Sequence, residues 1–339
     1  MFKQLKEKKK LFSIALCLII VLILFLFYHN KKNSFETVSI TDFKLNTVVT
    51  ITVYDSKYSD LLEESMDLCD FYESIFSRTL PSSEIYRLNH GLLPQQDGFF
   101  TLSSETEQLI RKGLEYSALS QGAFDLTIEP VSSQWDFTSD SPVPPSPDTI
   151  QTALPLVDYT QITLKDHMLH MEQPDMGIDA GAIAKGYIAD RVKEFLVEHG
   201  VEHGIINLGG NVLCIGEHPS GKPFQIGIQQ PFSDRNETVM QIPVSDYSVV
   251  TSGIYERSFR YNDVLYHHIL NPKTGYPFDN QLLSVTILSP KSVDGDGLST
   301  SCFALGLKKG MELINSIPDA EALFITADHQ LHYSAHFPH

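Results

Sequence analysis

Residues 179–186 read Asp-Ala-Gly-Ala-Ile-Ala-Lys-Gly, in which small residues separate a carboxylate from a lysine. Apolar side chains then recur at helical spacing as far as Leu196, and Gly200 is a typical C-terminal stop, so the stretch predicts a loop that enters a helix. The first turn of a helix has unpaired N–H groups and the positive end of the helix dipole, which favour a phosphorylated ligand near Lys185. An ordinary amphipathic helix, with Asp179 near its N-cap and Lys185 in solvent, fits the same residues.

Five other glycine-rich or polar motifs accompany this stretch. They are 122–125 (Gly-Ala-Phe-Asp), 206–212 (Ile-Asn-Leu-Gly-Gly-Asn-Val), 251–257 (Thr-Ser-Gly-Ile-Tyr-Glu-Arg), 268–277 (His-Ile-Leu-Asn-Pro-Lys-Thr-Gly-Tyr-Pro) and 296–300 (Asp-Gly-Leu-Ser-Thr). In this order the six motifs resemble the FAD:protein FMN transferase family, the ApbE-type flavin transferases. The resemblance runs from about residue 41 to the C-terminus. Each motif alone has low specificity, whereas six in family order are specific.

The pattern of predicted elements indicates an α+β fold. A strand is predicted at 46–54, a helix at 60–76 and a proline-rich surface loop at 138–150. After Gly200, strands are predicted at 203–208, 212–216, 224–229, 247–252, 265–270, 283–289 and 321–326, with few helices between them. The family resemblance implies a two-part α/β-layered body with the flavin nucleotide in a cleft between the parts.

The resemblance also implies which residues contact the flavin nucleotide. These are Leu45, Ala123, Phe124, Asp125, Asp179, Lys185, Gly209, Gly210, Thr251, Ser252, Gly253 and Ile269. Simpler roles fit some of them: Phe124 as a core residue, Asp125 as a turn former, and Gly209-Gly210 as a plain hairpin turn. The chain departs from the family pattern at Leu45-Asn46, where Met-Gly is usual, at Thr79, where an aromatic residue is common, and at Asn271, where Asp is usual.

Asp296 and Thr300 are candidates for a metal site. They are four positions apart at the start of a predicted helix that continues through Phe303 and Leu307, so they share a face and offer two hard oxygens. Such oxygens suit Mg²⁺, which typically combines one or two carboxylates with substrate phosphates. An N-cap role for Asp296 and a back-bonded Thr300 are the alternative. The resemblance implies Mg²⁺ at both residues, with Ala182 contributing its carbonyl oxygen.

His268 and Lys185 are the candidate catalytic residues. A histidine titrates near neutral pH, so His268 could take the proton from an attacking hydroxyl, although a structural histidine at a strand end is common. The resemblance implies Mg²⁺-dependent transfer of FMN from FAD to a Thr or Ser hydroxyl of an acceptor protein, with release of AMP. The expected acceptor is an extracytoplasmic electron-transfer flavoprotein. The alternatives are an FAD pyrophosphatase that uses water, and an extracytoplasmic FAD-binding module without catalysis.

The N-terminus predicts a membrane anchor. Lysines crowd the first ten residues, and an uninterrupted apolar run from Leu11 to Tyr28 is just long enough to cross a bilayer as a helix. A cleaved signal peptide is the main competitor, but no small-x-small cleavage site follows the run. The expected organisation is a cytoplasmic basic start and anchor at 1–32, a linker at 33–40 and an extracytoplasmic catalytic domain at 41–339.

Charge and cysteine content exclude several classes of protein. The chain carries a net charge of −17, and residues 1–32 contribute +6, which leaves −23 for the remainder. Nucleic acid is therefore excluded as an expected partner, because binding it requires a basic face. Cys69, Cys214 and Cys302 have no paired spacing, so they predict neither a disulfide framework nor a thiolate metal site.

Overall fold

Sixteen strands and seven α-helices follow one another between Val38 and Tyr333 in the computed structural model, which describes residues 19–21, 36–234 and 237–338. The strands are β1 (Val38–Lys44), β2 (Thr47–Val53), β3 (Gln95–Gln96), β4 (Phe99–Thr101), β5 (Ile162–Lys165), β6 (Met168–Met171), β7 (Gly204–Leu208), β8 (Asn211–Ile215), β9 (Phe224–Gln229), β10 (Thr238–Val244), β11 (Ser248–Gly253), β12 (Ser258–Tyr261), β13 (Val264–His267), β14 (Leu282–Ser289), β15 (Glu321–Thr326) and β16 (Leu331–Tyr333). The helices are α1 (Asp60–Phe76), α2 (Glu84–Asn89), α3 (Ser104–Leu119), α4 (Glu129–Ser132), α5 (Pro147–Ala153), α6 (Ala184–Glu198) and α7 (Ser292–Ile314).

The main sheet has eight strands in the order β1-β2-β7-β8-β11-β14-β15-β16, and each neighbouring pair is antiparallel. All eight residues of β14 are buried, as expected for a largely apolar strand that is covered on both faces. Helix α7 packs on β11 and β14, α6 packs on α7 and β8, and α1 packs on α6 and β2. These three helices therefore form a layer on the sheet.

The start of α6 and the start of α7 meet at Gly186, the third residue of α6. A Cβ atom built on Gly186 would lie 2.3 Å from the carbonyl oxygen of Ser292, the first residue of α7. Side chains do not approach backbone atoms so closely, so this contact requires glycine. The contact brings the 179–186 stretch against the Asp296 region.

Replacing Gly186 with alanine should destabilise the protein by roughly 1–3 kcal/mol, because the added methyl group overpacks a contact with rigid backbone. Gly113→Ala provides a graded comparison, since its Cβ would meet the movable end of the Leu126 side chain at 2.5 Å. Denaturant unfolding should show a smaller loss in the free energy of unfolding for Gly113→Ala than for Gly186→Ala. Equal stability of Gly186→Ala and the parent chain would contradict the close crossing.

Three smaller sheets complete the fold. One has four strands in the order β3-β4-β6-β5, and two are hairpins formed by β9 with β10 and by β12 with β13. The β12–β13 hairpin packs on a second, smaller core that includes Trp135 and Ile150. The indole Nε1 of Trp135 donates a hydrogen bond to the carbonyl oxygen of Gly275 at 3.0 Å. This small core holds the segment that carries His268.

The predicted mixture of helices and strands is confirmed, and several bounds require correction. The predicted helix 60–76 coincides with α1, and the predicted strands after Gly200 each overlap an observed strand. Strand β1 begins at Val38, inside the predicted linker 33–40. The predicted loop 138–150 includes the first residues of α5, and the predicted strand 265–270 ends at His267.

The predicted anchor at residues 11–28 lies outside the described residues except for residues 19–21, which are helical. Among the residues that the structure describes, no helix combines the length and the apolarity that crossing a bilayer requires.

Candidate active site

Asp296 is a buried carboxylate at the contact between α6 and α7. It is the fifth residue of α7 and only 5% exposed, and the N-cap position of this helix is occupied by Lys291. Its Oδ2 atom accepts a hydrogen bond from the backbone N–H of Gly186 at 2.6 Å, and its Oδ1 atom accepts one from Nδ2 of Asn211 at 3.0 Å. The N-cap alternative for Asp296 is therefore wrong. Instead, Asp296 satisfies an unpaired N–H of the first turn of α6.

Burial raises the pKa of the Asp296 carboxyl, and the nearby Lys185 ammonium group opposes that rise. Within the described part of the chain, Asp296 has no ion pair at 4.0 Å or less. A buried carboxylate without a close counter-ion is costly, and such groups are typically paired or bound to a metal ion. Asp296 therefore has the electrostatic character of a cation ligand.

Thr300 lies one helical turn beyond Asp296 and is half-buried. Its hydroxyl is 3.1 Å from Oγ of Ser252, which is also 2.8 Å from Oγ of Ser299. These contacts join the end of β11 to α7. Two motifs that are about fifty residues apart in the sequence, 251–257 and 296–300, therefore meet at the same place, as the predicted site requires.

Asp179 precedes α6 and does not cap it. The N-cap position is Ile183, whose side chain makes no capping hydrogen bond. The Oδ1 atom of Asp179 accepts from the backbone N–H of Gly181 at 2.9 Å, and its Oδ2 atom accepts from Oγ of Ser132 at 2.7 Å. Nε of Arg78 lies 3.3 Å from the same Oδ2 atom. The predicted passage from a loop into a helix within residues 179–186 is confirmed, whereas the N-cap role for Asp179 is wrong.

Lys185 is the second residue of α6 and is half-buried. It forms no ion pair within 4.0 Å in the described parts of the chain, but its charge acts on both Asp296 and His268. Ala182 precedes the helix and is also half-buried. The hydrogen bond from Gly186 to Asp296 holds this whole stretch beside α7. The ammonium group of Lys185 is thus a cation available to an anionic ligand.

The Gly209-Gly210 pair forms the turn between β7 and β8, so the hairpin interpretation is correct as to local structure. Both residues have positive φ, +65° and +94°. A Cβ atom on Gly209 would lie 2.1 Å from Oγ1 of Thr47, because the β1–β2 turn lies directly beside it. Leu45 occupies that turn with φ +54°, and its N–H donates to Oε2 of Glu73 at 3.1 Å. The two turns therefore pack against each other, and Asn211 follows the second of them.

His268 follows directly after β13 and is half-buried. Its backbone N–H donates to the carbonyl oxygen of Arg257 at 3.1 Å, and its Nδ1 atom lies 3.3 Å from the same oxygen. We assign the proton to Nδ1 because a carbonyl can only accept, which leaves Nε2 with a lone pair. Burial, followed by the charges of His267, Arg257 and Lys185, lowers the pKa of His268 to about 3. The imidazole is therefore neutral near pH 7 and can accept a proton.

The neighbours of His268 have structural roles. His267 is buried, its Nε2 atom bonds the carbonyl oxygen of Phe278 at 3.0 Å, and its Nδ1 atom accepts from the N–H of Ile269 at 3.3 Å. Burial lowers the pKa of His267. Ile269 is 6% exposed and belongs to the main core. His267 is thus a core histidine rather than a second candidate base.

The Ala123–Asp125 segment has the local roles that the simpler interpretation predicts. Phe124 is buried and meets Tyr116 edge-on with ring centres 6.2 Å apart. The Oδ1 atom of Asp125 accepts from both the N–H and the hydroxyl of Thr127, at 2.8 and 2.7 Å, and Oδ2 accepts from the N–H of Tyr159 at 3.1 Å. Burial raises the pKa of Asp125. Contact of this segment with a flavin stays a prediction.

Three residues near the site were not singled out from the sequence. Asn211 lies in the 206–212 motif, directly after the two glycines that carry its sequence signal. Arg78 precedes Thr79, whose departure from the family pattern was the only signal in that segment. Asp190 is 8% exposed, and its two carboxylate oxygens accept from the N–H groups of Ser292 and Val293 at 2.8 and 3.0 Å. Asp190 therefore caps α7 from a neighbouring helix, a role that local sequence does not reveal.

Asp190 should make stability depend on pH. Burial raises its pKa from 3.8 to about 6, so between these values the folded chain holds a proton that the unfolded chain releases. Its contribution to stability is complete below about pH 4 and is lost as pH rises through 6. We expect the free energy of unfolding to fall by up to about 3 kcal/mol relative to Asp190→Asn across this range. Urea unfolding of both chains between pH 4 and 7 tests this, and a constant difference would contradict the shift.

Asp294 has different hydrogen-bond partners from Asp296, although it is only two positions away. Its Oδ1 atom accepts from the phenol of Tyr116 at 2.5 Å, and Nζ of Lys112 lies 3.7 Å away. These contacts link α7 to α3. In the described ranges no group of three or more His, Cys, Asp or Glu side chains could hold a metal ion by itself. Any Mg²⁺ at Asp296 would therefore need oxygen atoms from a hydroxyl, a backbone carbonyl or a bound phosphate.

A helix N-terminus with a lysine in its first turn, beside a buried carboxylate, is an arrangement that suits a phosphorylated ligand. The family model described as the ApbE family matches residues 45–324. The chain belongs to the ApbE family.

Curated relatives and solved structures agree with this assignment. The chain is 36% identical over 264 residues to a Klebsiella pneumoniae protein named FAD:protein FMN transferase. This alignment covers 77% of this chain and 80% of that protein. A Treponema pallidum protein of the same name is 32% identical over 291 residues, covering 81% and 79%. The crystal structure of the ApbE protein from Thermotoga maritima matches with a TM-score of 0.80 and 29% identity, covering 88% of this chain and 97% of that one. The flavin transferase ApbE from Vibrio cholerae matches with a TM-score of 0.78 and 26% identity, covering 89% and 98%.

Proposed function

We infer that this chain is an FAD:protein FMN transferase, which moves FMN from FAD to a threonine or serine hydroxyl of an acceptor protein and releases AMP. The observation that carries this inference is the meeting of Asp296, Thr300 and the Lys185 end of α6 at one buried contact. The name of the relatives, FAD:protein FMN transferase, supports the transfer of FMN from FAD to a protein.

The residues at this contact fit Mg²⁺. Asp296 is a buried carboxylate without an ion pair in the described chain, and Thr300 adds a hydroxyl on the same helical face. Ala182 could add only its backbone carbonyl oxygen. All three donors are hard oxygens, which Mg²⁺ prefers, and their small number leaves room for phosphate oxygens and water. When bound, Mg²⁺ would neutralise charge on the pyrophosphate.

The reaction requires four events. The acceptor oxygen bonds to the phosphorus of the FMN half, the bond from that phosphorus to the AMP oxygen breaks, the hydroxyl loses its proton, and AMP leaves with the extra negative charge. Lys185 offers a fixed positive charge to the pyrophosphate and the departing AMP. Nε2 of His268 offers a lone pair to the hydroxyl proton. The proposal includes contact between the flavin nucleotide and the residues that the family resemblance implies, from Leu45 to Ile269.

We also propose that the flavin nucleotide binds in a cleft between two parts of the body, and that residues 11–28 anchor the chain in the cell membrane. The lysines ahead of the apolar run favour a cytoplasmic N-terminus, so the catalytic domain lies outside the cytoplasm. The expected acceptor is an extracytoplasmic electron-transfer flavoprotein.

Residues 33–339 produced alone should remain in the soluble fraction and bind FAD, whereas the full chain should sediment with membranes. The physical reason is that the apolar run at 11–28 is the only stretch of bilayer-spanning length in the sequence. Membrane fractionation and FAD fluorescence measure both properties. Partition of the shorter chain into membranes would contradict a single anchor.

One assay separates the three candidate functions. The purified chain is incubated with FAD, Mg²⁺ and an apo-flavoprotein acceptor, and both the acceptor mass and AMP are followed. A transferase adds the FMN mass to a Thr or Ser and releases one AMP per modification. A pyrophosphatase releases AMP and free FMN without acceptor, and a binding module does neither.

A further inference from the structure

A chain of buried hydrogen bonds joins Asn211 to Asp296 and to Ser292. Nδ2 of Asn211 donates to Oδ1 of Asp296 at 3.0 Å, and Oδ1 of Asn211 accepts from the hydroxyl of Ser292 at 2.6 Å. Asn211 is 2% exposed, Asp296 is 5% exposed and Ser292 is fully buried. Asn211 is the first residue of β8, directly after the Gly209-Gly210 turn, so this turn delivers a buried amide to α7.

The orientation of the Asn211 amide is determined by its partners. A carboxylate can only accept hydrogen bonds, so the NH₂ group must face Asp296. The reversed amide would place two acceptor oxygens against each other and leave the Asp296 side unpaired. The hydroxyl of Ser292 donates to the remaining amide oxygen, and the N–H of Ser292 is itself held by Asp190 at 2.8 Å.

These contacts fix the Asp296 carboxylate. Each of its oxygens accepts one hydrogen bond, from Gly186 on α6 and from Asn211 on β8, so rotation about the Cβ–Cγ bond would break both. Each oxygen also keeps lone-pair capacity for a further partner. Without Asn211, only the bond from Gly186 would resist this rotation.

We propose that Asn211 is a positioning residue for the divalent cation: its amide holds the Asp296 carboxylate in the orientation that binds the metal. This proposal rests on the proposed function, because the cation belongs to that reaction. Groups that hydrogen-bond a metal ligand commonly change metal affinity by 10- to 100-fold when they are removed. A merely structural Asn211 would affect folding stability without a specific effect on the cation.

The test measures cation affinity without turnover. Full-length protein is saturated with FAD in the absence of acceptor, and Mg²⁺ is titrated while the unfolding temperature is recorded, with Mn²⁺ binding followed by electron paramagnetic resonance as a second readout. We expect Asn211→Ala to weaken Mg²⁺ binding about 10- to 100-fold. FAD affinity in excess chelator should change less than about threefold. Excess Mg²⁺ should restore most of the transfer rate, because the substitution raises KM for Mg²⁺ far more than it lowers kcat.

Two further variants keep the outcome decisive. Ser292→Ala retains the Asn211 amide but removes the hydroxyl that orients it, and should weaken Mg²⁺ binding by an intermediate factor. Asn315→Ala is the matched control, because Asn315 lies exposed at the other end of α7, where its side-chain Oδ1 atom accepts a hydrogen bond from the N–H of Ala335 at 3.0 Å. It should leave Mg²⁺ affinity unchanged.

Unchanged Mg²⁺ affinity in Asn211→Ala would overturn the proposal, as would a loss of transfer that excess Mg²⁺ does not restore. If Asn211→Ala does not fold, unchanged affinity in Ser292→Ala overturns it equally. If the parent chain binds Mg²⁺ and transfers FMN while both variants match it, only this inference fails. If the parent chain itself neither binds Mg²⁺ nor transfers FMN, the proposed function fails together with it.

Discussion

Replacing Asp296 with alanine should lower the rate of FMN transfer by at least ~10³-fold and remove the dependence on Mg²⁺. The change removes the carboxylate of the proposed cation site. A bound cation supplies several kcal/mol of charge stabilisation in phosphoryl transfer, and each 1.36 kcal/mol is a factor of ten in rate. Single-turnover transfer at several Mg²⁺ concentrations measures both effects. FAD affinity in excess chelator should survive, because the cation is absent from that measurement.

Folding must be followed in the same variant. Asp296→Ala leaves the N–H of Gly186 and the amide of Asn211 without their partner, and each unpaired buried group costs about 1–3 kcal/mol. Removing a buried charge offsets part of this loss. Asp294→Asn is the matched control, because it keeps an oxygen for the phenol of Tyr116 and changes a carboxylate two positions away. It should transfer FMN within about threefold of the parent chain. Full, Mg²⁺-dependent activity of a folded Asp296→Ala chain would refute the metal assignment.

Elements with local signals were predictable from the sequence. Helix α1 has its apolar positions at helical spacing and buries Leu62, Met66, Cys69 and Phe76 on one face, so its bounds could be read directly. Strands β7 and β8 were recognisable because an apolar run breaks at a Gly-Gly turn. The passage from a loop into α6 was predictable for the same kind of reason, since small residues and then an apolar pattern mark it, whereas its first residue was not.

Elements held by distant contacts were not predictable from local sequence. Helix α7 begins four residues before Asp296, although two glycines in its first two turns lower its helix propensity. Its first N–H groups are satisfied by Asp190, which is 102 positions away from Ser292. Strand β1 looks like a polar linker because it is an edge strand whose residues are largely exposed, and pairing with β2 makes it a strand.

In the candidate site too, features with a local sequence signal were predictable and features that depend on distant contacts were not. The residue types were predictable because a cation needs oxygens and a pyrophosphate needs a lysine. Their hydrogen-bond partners were not, since Asp179 bonds Ser132 from 47 positions away and Asp296 bonds Asn211 from 85 positions away. Without those partners, Asp179 and Asp296 both look like N-caps. Only the fold shows that neither one caps its own helix.

Replacing His268 with alanine should slow FMN transfer by roughly 10²–10⁴-fold, the usual loss when a general base is removed. The bond from Nδ1 to Arg257 leaves Nε2 as the acceptor, and the lowered pKa keeps the ring neutral in the free enzyme. FAD affinity should change little, because a neutral imidazole contributes no charge to pyrophosphate binding. Single-turnover transfer and FAD fluorescence measure the two properties separately.

The pH dependence provides a second check on His268. In the free enzyme the pKa of His268 lies at about 3. The pH profile of kcat/KM for the parent chain should therefore show no fall near pH 6.5 that depends on His268. A bound pyrophosphate would offset the charges of Arg257 and Lys185, so the acidic limb of kcat should lie at higher pH than that of kcat/KM. His267→Ala is unsuitable as a control because His267 bonds Phe278 in the core. His199→Ala is suitable, since His199 is exposed at the end of α6. If His268→Ala and His199→Ala transfer FMN equally fast, or if His268→Ala loses FAD binding instead of rate, the base lies elsewhere.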